Sequence, residues 1–347
     1  MKTLMKTLMR TIAEGEGGAV SKAETESELC FPQLLNASCK KLTRPRSEAL
    51  TIYILMSCIS LLTVVLNLLV ILSISHFRQL HTPTNLLLLS LAVSDFLVGL
   101  ILMPFQILLA EPCWLLSDLL CVLYYFLTFV IVCASVGNMV LISLDRYVAI
   151  CDPLRYSTKV TQRRVQLCAF LSWGSSVFYA FMILYDNLKQ PGRFNFCYGE
   201  CVININGATD LVLGFLMPIS AIIILYMRVF VVAVSQARSM RSHVAAVKLQ
   251  RSLTVTVKKS EIKAAKTLGV TVVVFLMCYI PPYCVSLSGY DFTIGTSAKD
   301  FLIFLVLSNS CLNPVIYAFL YPWFRKSVKL IMTLEILQSK SREASVN

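Results

Sequence analysis

Asp210 stands eight residues before Pro218 in the run Ile205-Asn206-Gly207-Ala208-Thr209-Asp210-Leu211-Val212, where an apolar segment begins. A carboxylate near membrane depth is costly to keep, so it is read first as serving a function with a definite counterpart. For a carboxylate that counterpart is a cation: at about 4 Å and an effective dielectric of about 20, it attracts an ammonium by roughly 4 kcal/mol before desolvation is subtracted. The plainer alternative is that Asp210 solvates a helix end at the membrane interface. Further polar groups recur in apolar surroundings at Asp95, at Asp145-Arg146-Tyr147 and at Asn313-Pro314-Val315-Ile316-Tyr317. None of this is a catalytic set, because no nucleophile-base pair, HExxH or phosphate-binding loop occurs. The nearest cysteines, Cys197 and Cys201, have no histidine beside them, which argues against zinc. Binding, not catalysis, is expected.

The elements that must position these groups are membrane spans. Hydrophobic residues make up 57% of the 347-residue chain and charged residues only 14%, a composition outside the soluble globular range. The net charge of +12 sits in short segments between apolar runs, not in an aromatic-interleaved patch, so no nucleic-acid partner is expected. A helix crossing a hydrocarbon core of about 30 Å needs roughly 20 apolar residues. Seven segments qualify, near 49–75, 85–110, 119–144, 165–187, 208–227, 267–290 and 301–323. The expected organisation is an N-terminal segment 1–48, a seven-helix domain 49–323, and an amphipathic helix with tail 324–347. MKTLMKTLMR has no apolar core long enough for a cleaved secretory signal, so the first span is expected to start insertion itself.

Orientation follows from the basic residues. The segment after the fifth run carries Arg228, Arg238, Arg241, Lys248, Arg251, Lys258, Lys259, Lys263 and Lys266 against the single acid Glu261, and such loops face the cytoplasm. Arg155, Lys159, Arg163 and Arg164 after the third run agree. The N-terminus is then extracellular, where Asn36-Ala37-Ser38 is a glycosylation acceptor, and the chain is expected at the plasma membrane with its C-terminus inside.

Taken in order, Asn67, Leu91-Ala92-Val93-Ser94-Asp95, Asp145-Arg146-Tyr147, Trp173, Pro218 with Tyr226, Cys278-Tyr279-Ile280-Pro281 and Asn313-Pro314-Val315-Ile316-Tyr317 resemble the class A, rhodopsin-like G-protein-coupled receptors. Gln79-Leu80-His81-Thr82-Pro83-Thr84-Asn85, Lys263-Ala264-Ala265-Lys266-Thr267-Leu268-Gly269-Val270 and Tyr321-Pro322-Trp323-Phe324-Arg325-Lys326 narrow the resemblance to the trace amine-associated receptors, most like the fish olfactory members. It covers roughly residues 30 to 335. The resemblance implies a receptor that binds an extracellular small amine and activates a heterotrimeric G protein of the stimulatory class.

It also implies where a ligand sits, and there the chain departs from the pattern. Eighteen residues before Arg146, where amine receptors usually carry an aspartate, stands Thr128; seven before Pro314, where a supporting tyrosine is usual, stands Leu307. Asp210 is the expected replacement anchor, with Tyr124, Tyr125, Phe129, Tyr279 and Tyr283 as candidate aromatic walls whose plainer role is packing between helices. Tyr279 replaces a tryptophan usual before Pro281, and Pro282 an aromatic after it. Asp300 is a second candidate acid at the mouth of the seventh span, with solvation as its simpler role. A receptor for a neutral molecule or a peptide is the alternative within the class, and a transporter the alternative outside it, although no inverted repeat is present.

Three further sets follow from the resemblance. Asp95, Ser135, Asn309 and Asn313 match a polar cluster that holds sodium as a modulator or forms a metal-free network; no other cofactor is expected. Arg146 is expected to pair with Asp145 and with Glu261, twenty residues before Pro281, while Tyr226 and Tyr317 match tyrosines that turn inward on activation. Cys121 is expected to bridge to Cys201, and Cys197 to Cys30 or Cys39, with Cys113 unassigned. No cysteine follows Cys311, so the run from Phe324 to Leu337 is expected to lie on the bilayer without a palmitoyl anchor.

Overall fold

The computed structural model describes residues 28–34, 37–41, 45–246, 269–285, 296–333, 335–337 and 342, with backbone alone over 237–246, 296–299, 319 and 337. Asn36 and Glu261 lie outside these residues. Six helices are long and apolar enough to cross a membrane: Arg46–His76, Pro83–Leu109, Asp118–Cys151, Gln162–Ile183, Gly207–Gln236 and Asp300–Ala318. The apolar helix Gly269–Val285 completes a bundle of seven. We number these spans first to seventh in chain order, Gly269–Val285 being the sixth.

The helix starts follow from capping chemistry. Orphan N–H groups at a helix N-terminus need an acceptor, and Thr82, Ser117 and Thr161 supply one to the second, third and fourth spans, accepting from Asn85, Leu120 and Arg164 backbone N–H groups. Pro83 adds a residue whose missing N–H costs nothing at that position. Asn206 caps the fifth span by accepting from Thr209 N at 3.1 Å. Each of the second and fifth spans contains a π-helical stretch, Val98–Leu102 and Asp210–Leu216, next to Pro104 and Pro218 respectively. The seventh span is the helix Thr296–Leu320, with Pro314 inside it.

The third span is the axis, packing against the second, fourth and fifth. Close approach is bought with small residues: a Cβ on Gly137 would lie 2.2 Å from Ser172 Oγ, and one on Gly99 3.0 Å from Thr63. Ser60 Oγ donates to Gly99 O at 2.7 Å, and Trp173 Nε1 to Ser90 Oγ at 3.1 Å. The centre is apolar, with Leu87, Leu91, Met139, Phe275 and Tyr317 buried together. Large apolar side chains such as Leu61, Phe170 and Phe178 face outward, the arrangement expected where the surrounding solvent is lipid. After the seventh span, the helix Pro322–Met332 buries Trp323, Phe324 and Ser327 on one face. This defines an amphipathic helix slightly ahead of the expected 324–337 run.

Candidate functional site

One end of the bundle is tied by three disulfides: Cys121–Cys201, Cys39–Cys197 and Cys30–Cys113. Of the two partners left open for Cys197, the structure takes Cys39. Cys30 instead joins Cys113, a cysteine to which the sequence assigned no role. The backbone holds the same arrangement, since Cys39 N donates to Tyr198 O at 2.9 Å and Trp114 N to Gly199 O at 2.8 Å. Gly199 has φ +105°, and a Cβ there would stand 2.8 Å from Cys30 Cβ, so a side chain at this position is excluded both by backbone conformation and by space.

Beneath this cap, Asp210 lies half-buried on the π-helical stretch of the fifth span, a local widening that re-aims side chains and recurs at functional sites. Tyr179 Oη, from the fourth span, donates to Asp210 Oδ1 at 2.8 Å, and Tyr283 Oη, from the sixth, reaches Oδ2 at 3.5 Å. Gly214, one turn further on, leaves the room: a Cβ would be 2.8 Å from Asp210 Oδ1. Phe215 stacks on Tyr283 with ring centroids 4.1 Å apart, and Phe129 meets Tyr179 edge-on at 6.2 Å. The carboxylate is therefore held inside an aromatic frame drawn from four spans. No cation pairs with it among the described residues.

The other proposed walls lie elsewhere. Thr128 Oγ1 donates back to Tyr124 O at 2.9 Å, which satisfies its own helix. Leu307 is buried with Tyr124, Met103 and Ile131 in a separate apolar cluster against which Tyr125 packs, and Tyr124 Oη donates to Gln106 Oε1 at 3.0 Å. The corner where a third-span acid and its tyrosine would sit is thus filled with packing. Tyr279 is buried in the central core, tilted on Phe275 at 4.4 Å. Asp300 lines a different cavity, of about 540 Å³, together with Glu48, between the first, second and seventh spans.

Residues 66–317 match the family model described as 7 transmembrane receptor (rhodopsin family). The chain is 34% identical to trace amine-associated receptor 4 of Mus musculus over 93% of its own length and 96% of that protein's. It is 34% identical to trace amine-associated receptor 13c of Danio rerio (92% and 96%) and 37% identical to trace amine-associated receptor 1 of Macaca mulatta (89% and 95%). The chain belongs to the trace amine-associated receptors of the rhodopsin family. It is a receptor and not an enzyme.

Midway along the receptor, Asp95 is fully buried and accepts from Ser310 Oγ and Asn313 Nδ2, both at 2.8 Å. Asn67 Nδ2 joins the same junction by donating to Ser310 O at 3.0 Å. Ser135 Oγ, Asn309 Oδ1 and Asn313 Oδ1 are buried without a hydrogen bond among the described residues.

At the end opposite the disulfides, Arg146 is 7% exposed and Asp145 4%. Arg146 Nε donates to Asp145 Oδ2 at 3.0 Å, and its Nη2 contacts both that oxygen and Thr84 Oγ1. Thr84 Oγ1 donates to Asp145 Oδ2 at 2.9 Å and Tyr156 Oη to Oδ1 at 2.8 Å. Tyr147 points to another side, packing against Ile150 and Val229. The hydroxyls of Tyr226 and Tyr317 are buried without hydrogen bonds among the described residues, and Tyr317 packs edge-on against Tyr321 at 5.8 Å.

Sequence reasoning passed over Tyr179, Thr84, Tyr156 and Ser310. A signal existed for Tyr179, a hydroxyl six residues after Trp173 within an apolar run, since buried tyrosine hydroxyls seek partners. Thr84 was legible only as part of the Thr82-Pro83-Thr84-Asn85 motif, and nothing local connected it to Asp145.

Proposed function

We propose that this receptor binds a small protonated amine from the extracellular side at Asp210 and passes the signal to a heterotrimeric G protein, of the stimulatory class, at the Asp145-Arg146-Tyr147 end, in an olfactory role. The observation that carries the reading is Asp210 itself: a half-buried carboxylate framed by Tyr179 and Tyr283, with no cation paired to it among the described residues. A charge in such a place is stabilised by hydrogen bonds to the ionised form and favours a positively charged ligand. Phe129, Phe215 and Tyr283 offer ring faces to an ammonium or to its apolar substituent. The relatives' shared description as trace amine-associated receptors is consistent with this class of ligand.

The basic residues after the third and fifth spans support a cytoplasmic placement of the Arg146 end, with the N-terminus outside and Asn36 available for glycosylation. An agonist that draws Tyr283 toward Asp210 moves the sixth span relative to the fifth. The same helices carry Tyr226 and the segment after it to the Arg146 end, so such a movement alters the G-protein groove. Glu261, as a second partner of Arg146, belongs to this proposal.

Sodium is proposed as a modulator at Asp95. Ser135 Oγ, Asn309 Oδ1 and Asn313 Oδ1 fit this ion because they are hard oxygen atoms buried without hydrogen bonds among the described residues, and Asn313 lies against the Asp95 carboxylate. When bound, the ion supplies positive charge that balances Asp95.

The test is a cAMP assay of the expressed receptor against mono- and diamines and their neutral, isosteric analogues. A response to amines alone supports the reading. A response to the neutral analogues of equal potency overturns it in favour of a neutral ligand.

A further inference from the structure

A cavity of about 190 Å³ lies between the second, third and fourth spans at the Arg146 end, and nothing in the function above uses it. Its floor is Leu87, Leu141, Leu144, Val148, Val165 and Cys168. Leu144 is 45% exposed and Cys168 is exposed, so the cavity opens on the perimeter of the bundle, where the bilayer stands, and not into its interior. Its rim is basic, formed by Lys159 and Arg164. The one acid in its wall, Asp145, is already engaged by Arg146, Thr84 and Tyr156.

The rim retains donors. Arg164 directs Nη1 to Thr158 O at 2.9 Å and Lys159 O at 3.0 Å, and its Nε and Nη2 make no hydrogen bond among the described residues. Lys159 Nζ rests on Asp152 at 2.9 Å, yet its side chain remains 52% exposed. Arg155 and Arg163 add charge in the same stretch of chain.

We propose that this cavity is a binding site for one anionic phospholipid, with the head-group phosphate at Arg164 and Lys159 and the upper methylenes of an acyl chain against Leu144, Val148 and Cys168. The apolar floor and the cationic rim face the medium in which amphiphilic anions are concentrated, and basic pockets between spanning helices recognise such head groups. A free phosphate would leave the floor unfilled. The lipid ties the short helix Pro153–Lys159 to the fourth span. Because Tyr156 on that helix holds Asp145, lipid occupancy bears on the Arg146 network. The inference rests on the proposed orientation only for which leaflet supplies the lipid.

The experiment places the purified full chain in nanodiscs of phosphatidylcholine with phosphatidylserine as the minor component, then counts retained lipids by native mass spectrometry. One phosphatidylserine is expected to remain bound in preference to phosphatidylcholine. Each neutralised cation should reduce that preference about five-fold, so the Lys159→Gln, Arg164→Gln double variant should lose about twenty-five-fold. Cys168→Phe, which leaves both cations and fills the floor, should also lose the lipid while melting like the parent in lipid-free detergent. Equal retention of both lipids by the parent overturns the proposal. So does unchanged retention by Cys168→Phe, or displacement of the lipid by soluble glycerol phosphate. No amine or G protein enters the measurement, so its failure is distinct from failure of the amine reading.

Discussion

Tyr179 of the fourth span donates its hydroxyl hydrogen to Asp210 of the fifth at 2.8 Å. The bond fixes a carboxylate that would otherwise be free to swing along the widened π-helical stretch. A hydrogen bond to an ionised group contributes about 1.5–3 kcal/mol to the folded state, but this one is made with or without a ligand, so only the part of it that orients the carboxylate is felt in binding. Tyr179→Phe should therefore weaken amine potency at equal surface expression by several-fold, measured as the cAMP concentration-response. Unchanged potency would mean that the ligand supplies all the order Asp210 needs.

Removing the charge should do more than removing its support. Asp210→Asn keeps the size nearly constant, and a loss of about 1.4 kcal/mol or more raises the effective amine concentration ten-fold or more. Asp210→Glu should do less harm. An aspartate placed at Thr128 in the Asn variant should rescue only in part, because Leu307 has no hydroxyl to support that acid from the seventh span. Parent-like responses from Asp210→Asn would move the anchor elsewhere.

The ligand must carry its proton to use a carboxylate anchor. For an amine with a pKa of about 8, near that of an α-amino group, potency should fall as pH rises through that value, because the neutral form gains nothing from Asp210. A permanently charged quaternary analogue should keep its potency over the same range. A parallel fall for both would trace the pH effect to the receptor.

The disulfide-tied end of the bundle predicts its own cross-links. Peptide mapping of non-reduced protein should find Cys121 with Cys201, Cys39 with Cys197 and Cys30 with Cys113. Gly199→Ala should lower surface expression, since its Cβ meets Cys30 and the φ of +105° disfavours any side chain. Finding Cys30 joined to Cys197 would refute the pairing.

Among the described residues Arg146 makes hydrogen bonds only to Asp145 and Thr84, at the opposite end of the bundle from Asp210. Arg146→Ala should abolish the cAMP response while sparing radiolabelled amine binding and surface expression. Normal signalling from this variant would remove Arg146 from the coupling role.

Much of this was legible in the residues. Seven apolar runs imply seven spans because lipid leaves the backbone no partners except its own, and helix starts are written locally in Thr82, Ser117, Thr161 and Asn206. The motif series from Asn67 to Tyr317 was enough to place the chain among its relatives. The replacement of an acid by Thr128, and the presence of Asp210, were visible by counting from Arg146 and Pro218. These features are local or periodic, so one dimension carries them.

Partnerships between spans were not legible, because they depend on how each helix is rotated and where it crosses its neighbours. Asp210 and Tyr179 are neighbours because a π-helical stretch turns the first and Gly214 clears space for the second. Asp145 is shared by Thr84 and Tyr156, one from the second span and one from a short helix beyond the third, and no spacing rule links them. Thirteen cysteines allow many pairings, and only the course of the chain over the disulfide-tied end of the bundle set Cys30 against Cys113 and left Cys39 to Cys197. The sequence by itself determined which groups are buried and in which span; the tertiary structure decided which of them meet, since a contact requires two independently oriented helices to present their side chains to the same point.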